Sequence, residues 1–358
     1  MKVFNLHLSL LNTFCRDARF CVSTIGKAFW LGAGLSVLLL LVIMGRSASA
    51  QNPPCQYFHA IDDPLEIQKS QVWDVYGEFA VRGTKVHMAS LHAMLKTGVK
   101  NLTGLDEPNQ AWRCFINDDD VVALKFTLVG GSALGTNQAL AAALLDSLYQ
   151  AGFKPENFLI VGLDDLPKQA QGTRLWRYGW QKETVDFGAD SDHLTRWLDE
   201  VTAIINIPSI MDDNIINLRC CLANLSFPLL KRPARLYLNH GDPFICDVYN
   251  LPQIRDKVRL HIANGLRVLY HGGPEVKQKY VYEPGSLIFS TDPVALDRVA
   301  LQLIRRARQT MIMPTGVSEK ISTPYLDTAY AYGLGYNDLN FITYHYIKHE
   351  KWGSSPKK

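Results

Sequence analysis

The sequence lacks the features that mark nucleic-acid-binding and metal–sulfur proteins. Its 37 lysines and arginines nearly balance 34 acidic residues, so the formal net charge is only +3. Nucleic-acid binding normally needs a strongly basic face. None of the seven cysteines forms a C-x-x-C pair, the spacing typical of zinc ribbons and ferredoxin-type clusters. We therefore expect no nucleic-acid partner and no iron–sulfur cluster.

Short catalytic and phosphate-binding motifs are also missing. The glycine-rich segment 130–135 lacks both the Walker lysine and the dinucleotide glycine spacing. Neither G-x-S-x-G nor H-E-x-x-H occurs. The composition, 47% hydrophobic and 20% charged, is that of an ordinary globular protein. A chain of 358 residues is long enough to bury a large core.

The N-terminal region predicts export. Residues 29–44 are 16 uncharged, mostly apolar residues, with basic residues before them and a run of small residues up to Ala50. This order is typical of a secretory signal peptide, so we predict cleavage after Ala50. The alternative is an uncleaved anchor whose residues 29–44 contact the membrane, although a bilayer span needs about 20 residues. Both alternatives predict a body that is periplasmic, or anchored to the inner membrane facing outward.

Five cysteines would remain after that cleavage. They are Cys55, Cys114, Cys220, Cys221 and Cys246. In an oxidising compartment some could form disulfides, and an odd number leaves at least one unpaired. The alternative is that most are small buried hydrophobic residues. The neighbours Cys220 and Cys221 are expected to point in different directions and not to act together.

Periodicity and composition divide the chain into four parts. The predicted parts are a leader at 1–50, a polar, proline-containing linker at 51–84, a single α/β domain at 85–350 and a tail at 351–358. Apolar residues at helical spacing predict a first helix over 85–99. A tyrosine-rich stretch from Tyr325 to Tyr346 is expected to pack back on the domain.

A strand–helix–strand pattern over 121–163 gives the clearest prediction of fold. An apolar run at 121–129 is followed by a helical segment at 137–150 and a second apolar run at 158–163, which together indicate a βαβ unit with parallel strands. Near-continuous apolar strands alternating with helices indicate an α/β fold, a mostly parallel sheet with helices on both faces. Three more strands are predicted, at 203–207, 258–262 and 287–290. Asp292 is predicted to cap a helix over 293–308.

Acidic residues follow two of the predicted strands. They are Asp164 and Asp165 after one, and Asp212 and Asp213 after the other. Ligands of an open parallel sheet bind beyond the carboxyl ends of its strands, and carboxylate oxygens suit divalent cations. These four residues are therefore candidate ligands of a divalent cation. The alternative is that each one caps a helix or forms an Asx turn.

Four further polar or glycine positions follow the predicted strand at 258–262. His271 is a candidate catalytic residue, and Asn264, Gly272 and Gly273 are candidate cofactor-binding residues. The alternative is that His271 is simply a turn residue before glycine and proline.

Lys125 interrupts an apolar strand, where an unpaired ammonium would be expensive to bury. We predict that it pairs with Asp164, Asp165 or Asp212 in a pocket that also reaches His271, which would make it a candidate catalytic residue. The alternative is that its side chain extends to the edge of the sheet.

Several stretches resemble one known family, the domain of unknown function 362, and in particular an exported bacterial branch of it. The similar stretches are 91–104, 119–131, 149–161, 203–210, 251–274 and 287–301. Some members carry a ferredoxin-like iron–sulfur segment, which this chain lacks. The family has no established chemistry, so the resemblance implies an architecture and does not name a reaction.

Five positions depart from the family's pattern. Thr127 stands where relatives have asparagine, and Asn137 and Phe227 stand where they have histidine. A lysine–aspartate–histidine run is replaced by 211–213, of which only the aspartate is kept. The matching positions are Lys125, Asp212, Asn224, His271, Gly272, Gly273 and Pro274. The departures imply that a site of the family is lost or altered here.

Two functions follow from these observations. The first is an exported scaffold or binding protein with a degenerate site. The alternative is an envelope enzyme with a divalent-metal or anion-binding pocket at the carboxyl ends of the strands. Finding Lys125 and His271 in one cleft would favour the enzyme.

Overall fold

The computed structural model of the chain describes residues 69–188, 190–314 and 321–349. They fall within one compact unit, Asn52–Lys358. The predicted leader with its apolar stretch 29–44, the cleavage site after Ala50 and the tail 351–358 lie outside the described residues. In the part of the chain that is described, no helix is both long and apolar enough to cross a bilayer.

Strands and helices alternate along most of this unit. The strands are β1 (Ser70–Gly77), β2 (Val81–Arg82), β3 (Lys85–Val86), β4 (Val122–Phe126), β5 (Phe158–Val161), β6 (Arg174–Trp176), β7 (Val185–Asp186), β8 (Ser191–Asp192), β9 (Ala203–Ile207), β10 (Ser209–Met211), β11 (Val258–Leu269), β12 (Val281–Tyr282), β13 (Ser286–Ser290) and β14 (Ile342–His349). The α-helices are α1 (Met88–Thr103), α2 (Pro108–Arg113), α3 (Gly131–Leu134), α4 (Asn137–Gln150), α5 (Cys221–Asn224), α6 (Phe244–Tyr249), α7 (Pro252–Arg255), α8 (Pro293–Thr310) and α9 (Pro324–Ala331).

Ten strands form the central sheet, in the order β14-β1-β13-β11-β9-β4-β5-β6, with β10 and β12 also paired to β11. Six of its nine pairings are parallel. The antiparallel pairings all involve β13 or β12. The predicted α/β class with a mostly parallel sheet is thus confirmed.

The predicted βαβ unit is present. β4 pairs in parallel with β5, and α4 connects them with the predicted bounds. β9 also has its predicted bounds, whereas the predicted strand at 258–262 is only the first part of β11. Asp292 caps α8 as predicted, because its carboxylate accepts hydrogen bonds from two amides of the first turn.

Helices cover both faces of the sheet. Side chains along each strand alternate between the two faces, so apolar side chains on both faces need cover. On β4, Leu124 and Phe126 pack with the core that includes α1, α2 and α4. Ala123 points the other way, into the core that includes α5, α6, α8 and α9. Lys125 shares that second face, so its ammonium is directed into a helix-covered layer.

The predicted linker at 51–84 is wrong over its second half, and the α/β domain begins before residue 85. Residues 70–77 form β1, which pairs with both β13 and β14 inside the main sheet. Val72 and Val75 are fully buried. Burial of these two apolar side chains stabilises a strand although the residues around them are largely polar. The predicted helix start at 85 is also too early, since Val86 lies in β3 and α1 begins at Met88.

The C-terminal stretch packs on the domain, as predicted. Tyr325 on α9 is fully buried, and its hydroxyl donates a 3.0 Å hydrogen bond to the carbonyl of Leu218. β14 adds an edge strand beside β1, where Tyr344 donates to the Asp74 carboxylate at 2.6 Å.

Candidate functional site

Polar side chains lie in a row across the middle of the sheet. Lys125 on β4 stands opposite Asn206 on β9, and Asn206 stands opposite His261 on β11. Because directly paired residues point to the same face, all three side chains enter the layer that contains α5 and α6. All three are buried, with at most 2% of each residue exposed.

Lys125 has two hydrogen-bond acceptors. Its ammonium donates to the Phe126 carbonyl at 2.7 Å and to Asn224 Oδ1 at 3.1 Å. Asn224 is the last residue of α5, and only 5% of it is exposed. Burial lowers the pKa of Lys125 to about 7, because the low-dielectric interior disfavours the charged amine.

The row continues from Asn224 to Tyr249. Asn224 Nδ2 donates to Asn206 Oδ1 at 2.7 Å, and Asn206 Nδ2 donates to His261 Nδ1 at 3.1 Å. Since Nδ1 accepts, the His261 proton lies on Nε2, which donates to the Tyr249 hydroxyl at 3.4 Å. Burial lowers the pKa of His261 to about 3, so this imidazole is neutral over the physiological range.

A second branch extends from Asn224 to the carboxyl edge of the sheet. The Thr127 hydroxyl donates to Asn224 Oδ1 at 3.2 Å, and the Thr127 carbonyl accepts from Asn137 Nδ2 at 3.3 Å. Asn264 Nδ2 donates to Asn137 Oδ1 at 2.9 Å, and Ser209 Oγ reaches the same oxygen at 3.4 Å. Thr127 and Asn137, which replace the family's residues, are therefore both hydrogen-bonded within the network, and the proposed cofactor ligand Asn264 is one of its members.

The predicted ion pair of Lys125 is wrong. Among the described residues, no carboxylate is bonded to its ammonium, and neither Asp164, Asp165 nor Asp212 is its partner. His271 shares no hydrogen bond with it either. An amide and a main-chain carbonyl solvate the amine instead, which needs no buried anion.

The two acids after β10 have basic partners of their own. Asp212 pairs with Arg308 and also accepts the Gly273 amide at 3.3 Å. Asp213 pairs with Arg219 at 2.6 Å and accepts the amides of the next turn. Burial raises the pKa of Asp212, and Arg308 opposes that rise. Asp213 thus caps a turn, which is the alternative given above, whereas Asp212 is the ion-pair partner of Arg308.

The acids after β5 lie at the surface. Asp165 pairs with Arg177 at 3.3 Å, and both of these side chains are mostly exposed. Arg177 also donates to the main-chain carbonyl of Asp164. The structure therefore does not bring these two acids together with Asp212 and Asp213 through any shared hydrogen bond or ion pair.

Basic side chains gather at residues 271–279, which we call the basic loop. The His271 ring packs edge-on against Tyr280 at 4.7 Å, and the Lys279 ammonium lies 4.8 Å from the centre of the same tyrosine ring. The Lys277 ammonium lies beside Gly272. Burial lowers the pKa of His271, and the positive charges of Arg308, Lys277 and Lys279 lower it further.

The glycines of the loop are required by close packing. Gly272 has φ of +81°, a conformation that side chains disfavour. A Cβ on Gly273 would collide with the main-chain oxygen of Asp212. The two glycines thus let the loop pass directly over the residue that pairs with Arg308.

The described cysteines fall into two groups. Cys114 is disulfide-bonded, whereas Cys220, Cys221 and Cys246 are free and buried, as expected for small hydrophobic residues. The prediction that Cys220 and Cys221 point apart is wrong, because their sulfurs are 4.0 Å from each other. The short helix α5 begins between them and turns both thiols inward.

Together these features define an α/β protein with a buried polar network below the carboxyl edge of its sheet and a basic loop above it. The model of the family described as Domain of unknown function (DUF362) matches residues 133–302. The chain resembles this uncharacterised family over those residues, as its motifs predicted. No curated protein matches the sequence.

The sequence does contain a pattern that could have predicted Asn206 and His261 as members of the polar network. Asn206 and His261 interrupt apolar strands in the same way as Lys125 does. Treating the three interruptions together would have placed them on adjacent parallel strands. Tyr249 gives no such signal, because an aromatic residue in an apolar helix is ordinary.

Proposed function

We propose that the chain is an exported binding protein that holds an anionic group, such as a phosphate or carboxylate, at the basic loop. The observation that carries this proposal is the absence of acidic partners there. Among the described residues, His271, Lys277 and Lys279 form no ion pair. An anion bound at this loop would supply the negative partner that these three basic side chains lack.

The nearby acids do not change this balance. Asp212 pairs with Arg308 and accepts an amide of the loop. Glu275 is exposed, as Lys277 and Lys279 are, and this single acid leaves the loop with an excess of positive charge. Carboxyl ends of parallel strands are where ligands of such sheets bind, and β11 leads directly into the loop. The position of the basic loop at the carboxyl edge of the sheet and its positive charge therefore both favour an anionic ligand.

The buried network supports binding over catalysis. Lys125 and Asn206 both bond Asn224 on α5, and Asn206 also bonds His261, so their polar atoms are used internally. The carboxylates predicted to hold a divalent cation are likewise used in ion pairs, turns or surface contacts. We infer that these buried residues serve here as a rigid support for the edge of the sheet.

Two observations support export. The uncharged stretch 29–44 followed by small residues has the order of a secretory signal. Cys114 is disulfide-bonded, a state that persists in oxidising compartments and is rare in the cytosol. N-terminal sequencing of the protein recovered from its host should begin at Gln51, whereas an intact Met1 in the membrane fraction would identify an anchor.

Anion binding can be tested by NMR titration of His271 in the full mature chain. Inorganic phosphate should raise the pKa of His271, because a bound anion favours the protonated imidazole. Lys277→Gln should weaken this response, since it removes one of the unmatched charges. Lys154→Gln, which removes an exposed lysine that follows the C-terminal end of α4, is the matched control.

Carboxylate ligands can be compared with phosphate in the same titration by adding acetate or citrate. A response to one anion and not the other would identify the preferred group. An unchanged His271 titration with every anion, at concentrations that leave the fold intact, would contradict the proposed function.

A further inference from the structure

A second cluster of reactive side chains lies on the face of the sheet that α5, α6, α8 and α9 cover. Cys220 and Cys221 stand at the start of α5, and Asp297 lies in the second turn of α8 opposite them. One ligand atom from each residue falls within 4.8 Å of the others. All three residues are buried, with at most 1% exposed.

The carboxylate of Asp297 is held in place by the main chain. It accepts the amide of Cys221 at 2.6 Å and the amide of Leu222 at 3.1 Å. Such hydrogen bonds orient a carboxylate while leaving lone pairs on both oxygens. The residue is thus fixed towards the two sulfurs.

No basic side chain balances this carboxylate among the described residues, since Asp297 takes part in no ion pair. Burial raises the pKa of Asp297 to about 6 and that of Cys220 to about 11. The pKa of Cys221 is raised as well, for the same reason. A buried carboxylate and two buried thiols therefore lie together without a positive charge.

We propose that Cys220, Cys221 and Asp297 form a zinc-binding site. Thiolates select zinc over the harder divalent cations. Zinc–sulfur bonds of about 2.3 Å place two sulfurs on a tetrahedral ion about 3.8 Å apart, close to the 4.0 Å between the two sulfurs here. The three side chains supply three corners of the tetrahedron.

Zinc binding at this site balances in protons and charge. With Asp297 ionised, one Zn²⁺ and two thiols give a zinc dithiolate–carboxylate centre and two released protons.

The zinc site would also connect α8 to α5, the helix that contributes to the buried polar network. Cys221 carries the carbonyl that accepts a 3.0 Å hydrogen bond from Asn206, and α5 ends at Asn224, the partner of Lys125. A zinc ion joining α5 to α8 would fix the helix that completes the polar network. This role is independent of anion binding at the basic loop.

Metal analysis of the purified full chain tests the proposal. Because the ligands are buried, metal should be supplied during expression or refolding, so that binding accompanies folding. We expect a single zinc ion per chain, lost in Cys220→Ser and Cys221→Ser. Cys246→Ser is the matched control, because that thiol is also buried but donates to the Tyr325 carbonyl outside the cluster.

A second measurement does not depend on variants that fold. Zinc added during refolding of the natural sequence should raise its melting temperature, and cadmium in its place should give a thiolate-to-metal absorption band in the ultraviolet. Protein that refolds without taking up zinc or cadmium would overturn the proposal. So would equal loss of metal from Cys246→Ser.

Discussion

Replacing Lys125 with methionine should change the pH dependence of stability. The folded-state pKa is about 7, against 10.5 for a free lysine. Between these values the unfolded chain holds a proton that the folded chain does not. The stability of the natural protein therefore rises with pH across this window, by up to about 1.4 kcal/mol per unit.

The Lys125→Met variant lacks this titrating group and should lack its share of the rise. At high pH the variant loses the bond to the Phe126 carbonyl, while Asn224 Oδ1 keeps its donor from Thr127. Leaving one buried acceptor unpaired costs about 1–3 kcal/mol. Towards neutral pH this deficit should shrink or reverse, because folding of the natural protein must then remove the proton that Lys125 carries in the unfolded chain.

Urea unfolding of both proteins from about pH 6 to about pH 10 measures the difference in free energy, in which all shared titrating groups cancel. Thr127→Val is the matched control, because it removes a hydroxyl from the same network without removing a titrating group. A difference between Lys125→Met and the parent that stays constant over the whole range would refute the assignment of a buried, weakly basic amine. The assignment would also be refuted if the unfolding free energy of Lys125→Met differed from that of the parent with the same pH slope as that of Thr127→Val.

Three further substitutions test the packing around the site by thermal or urea unfolding. Asp292→Ala should destabilise the protein by about 1 kcal/mol or somewhat more, because α8 loses its N-cap; no loss would mean that the cap is dispensable. Gly98→Ala should cost about 1–3 kcal/mol, because the added methyl group would collide with the Phe289 ring between α1 and the sheet, and an unchanged midpoint would contradict that contact. Arg308→Met should cost about 3–5 kcal/mol by leaving Asp212 buried without its partner, and the loss should diminish as Asp212 becomes protonated at acid pH.

The inner strands of the sheet could be predicted because local signals and tertiary structure agree there. β4, α4 and β5 carry apolar runs and a helical pattern that end at glycines or polar turns. The outer strands could not be predicted in this way. β1 mixes polar and apolar residues because one side of it is only partly covered, and β14 alternates so that Tyr344 and Tyr346 are exposed.

The site was predicted only in part, for a physical reason. Lys125 was identified from the free-energy cost of burying an ammonium, but an ion pair was expected to offset that cost. The structure offsets it with a carbonyl and the Asn224 amide, and Asn224 is 99 residues away in sequence. Neutral partners of this kind produce no charge pattern, so only the polar interruptions at Asn206 and His261 could have indicated them.

The pairing of β1 with β14 sets an order for assembly of the chain. These strands are hydrogen-bonded neighbours, yet Ser70 pairs with Ile342, at opposite ends of the described sequence. Contacts of such long range form late, because the intervening chain must first be ordered. During synthesis the inner strands can associate as soon as they emerge, while Val72 and Val75 remain on an open sheet edge until β14 is made. β14 therefore covers a sheet edge that β1 leaves open, and a nascent protein stalled before β14 would present a template for aggregation.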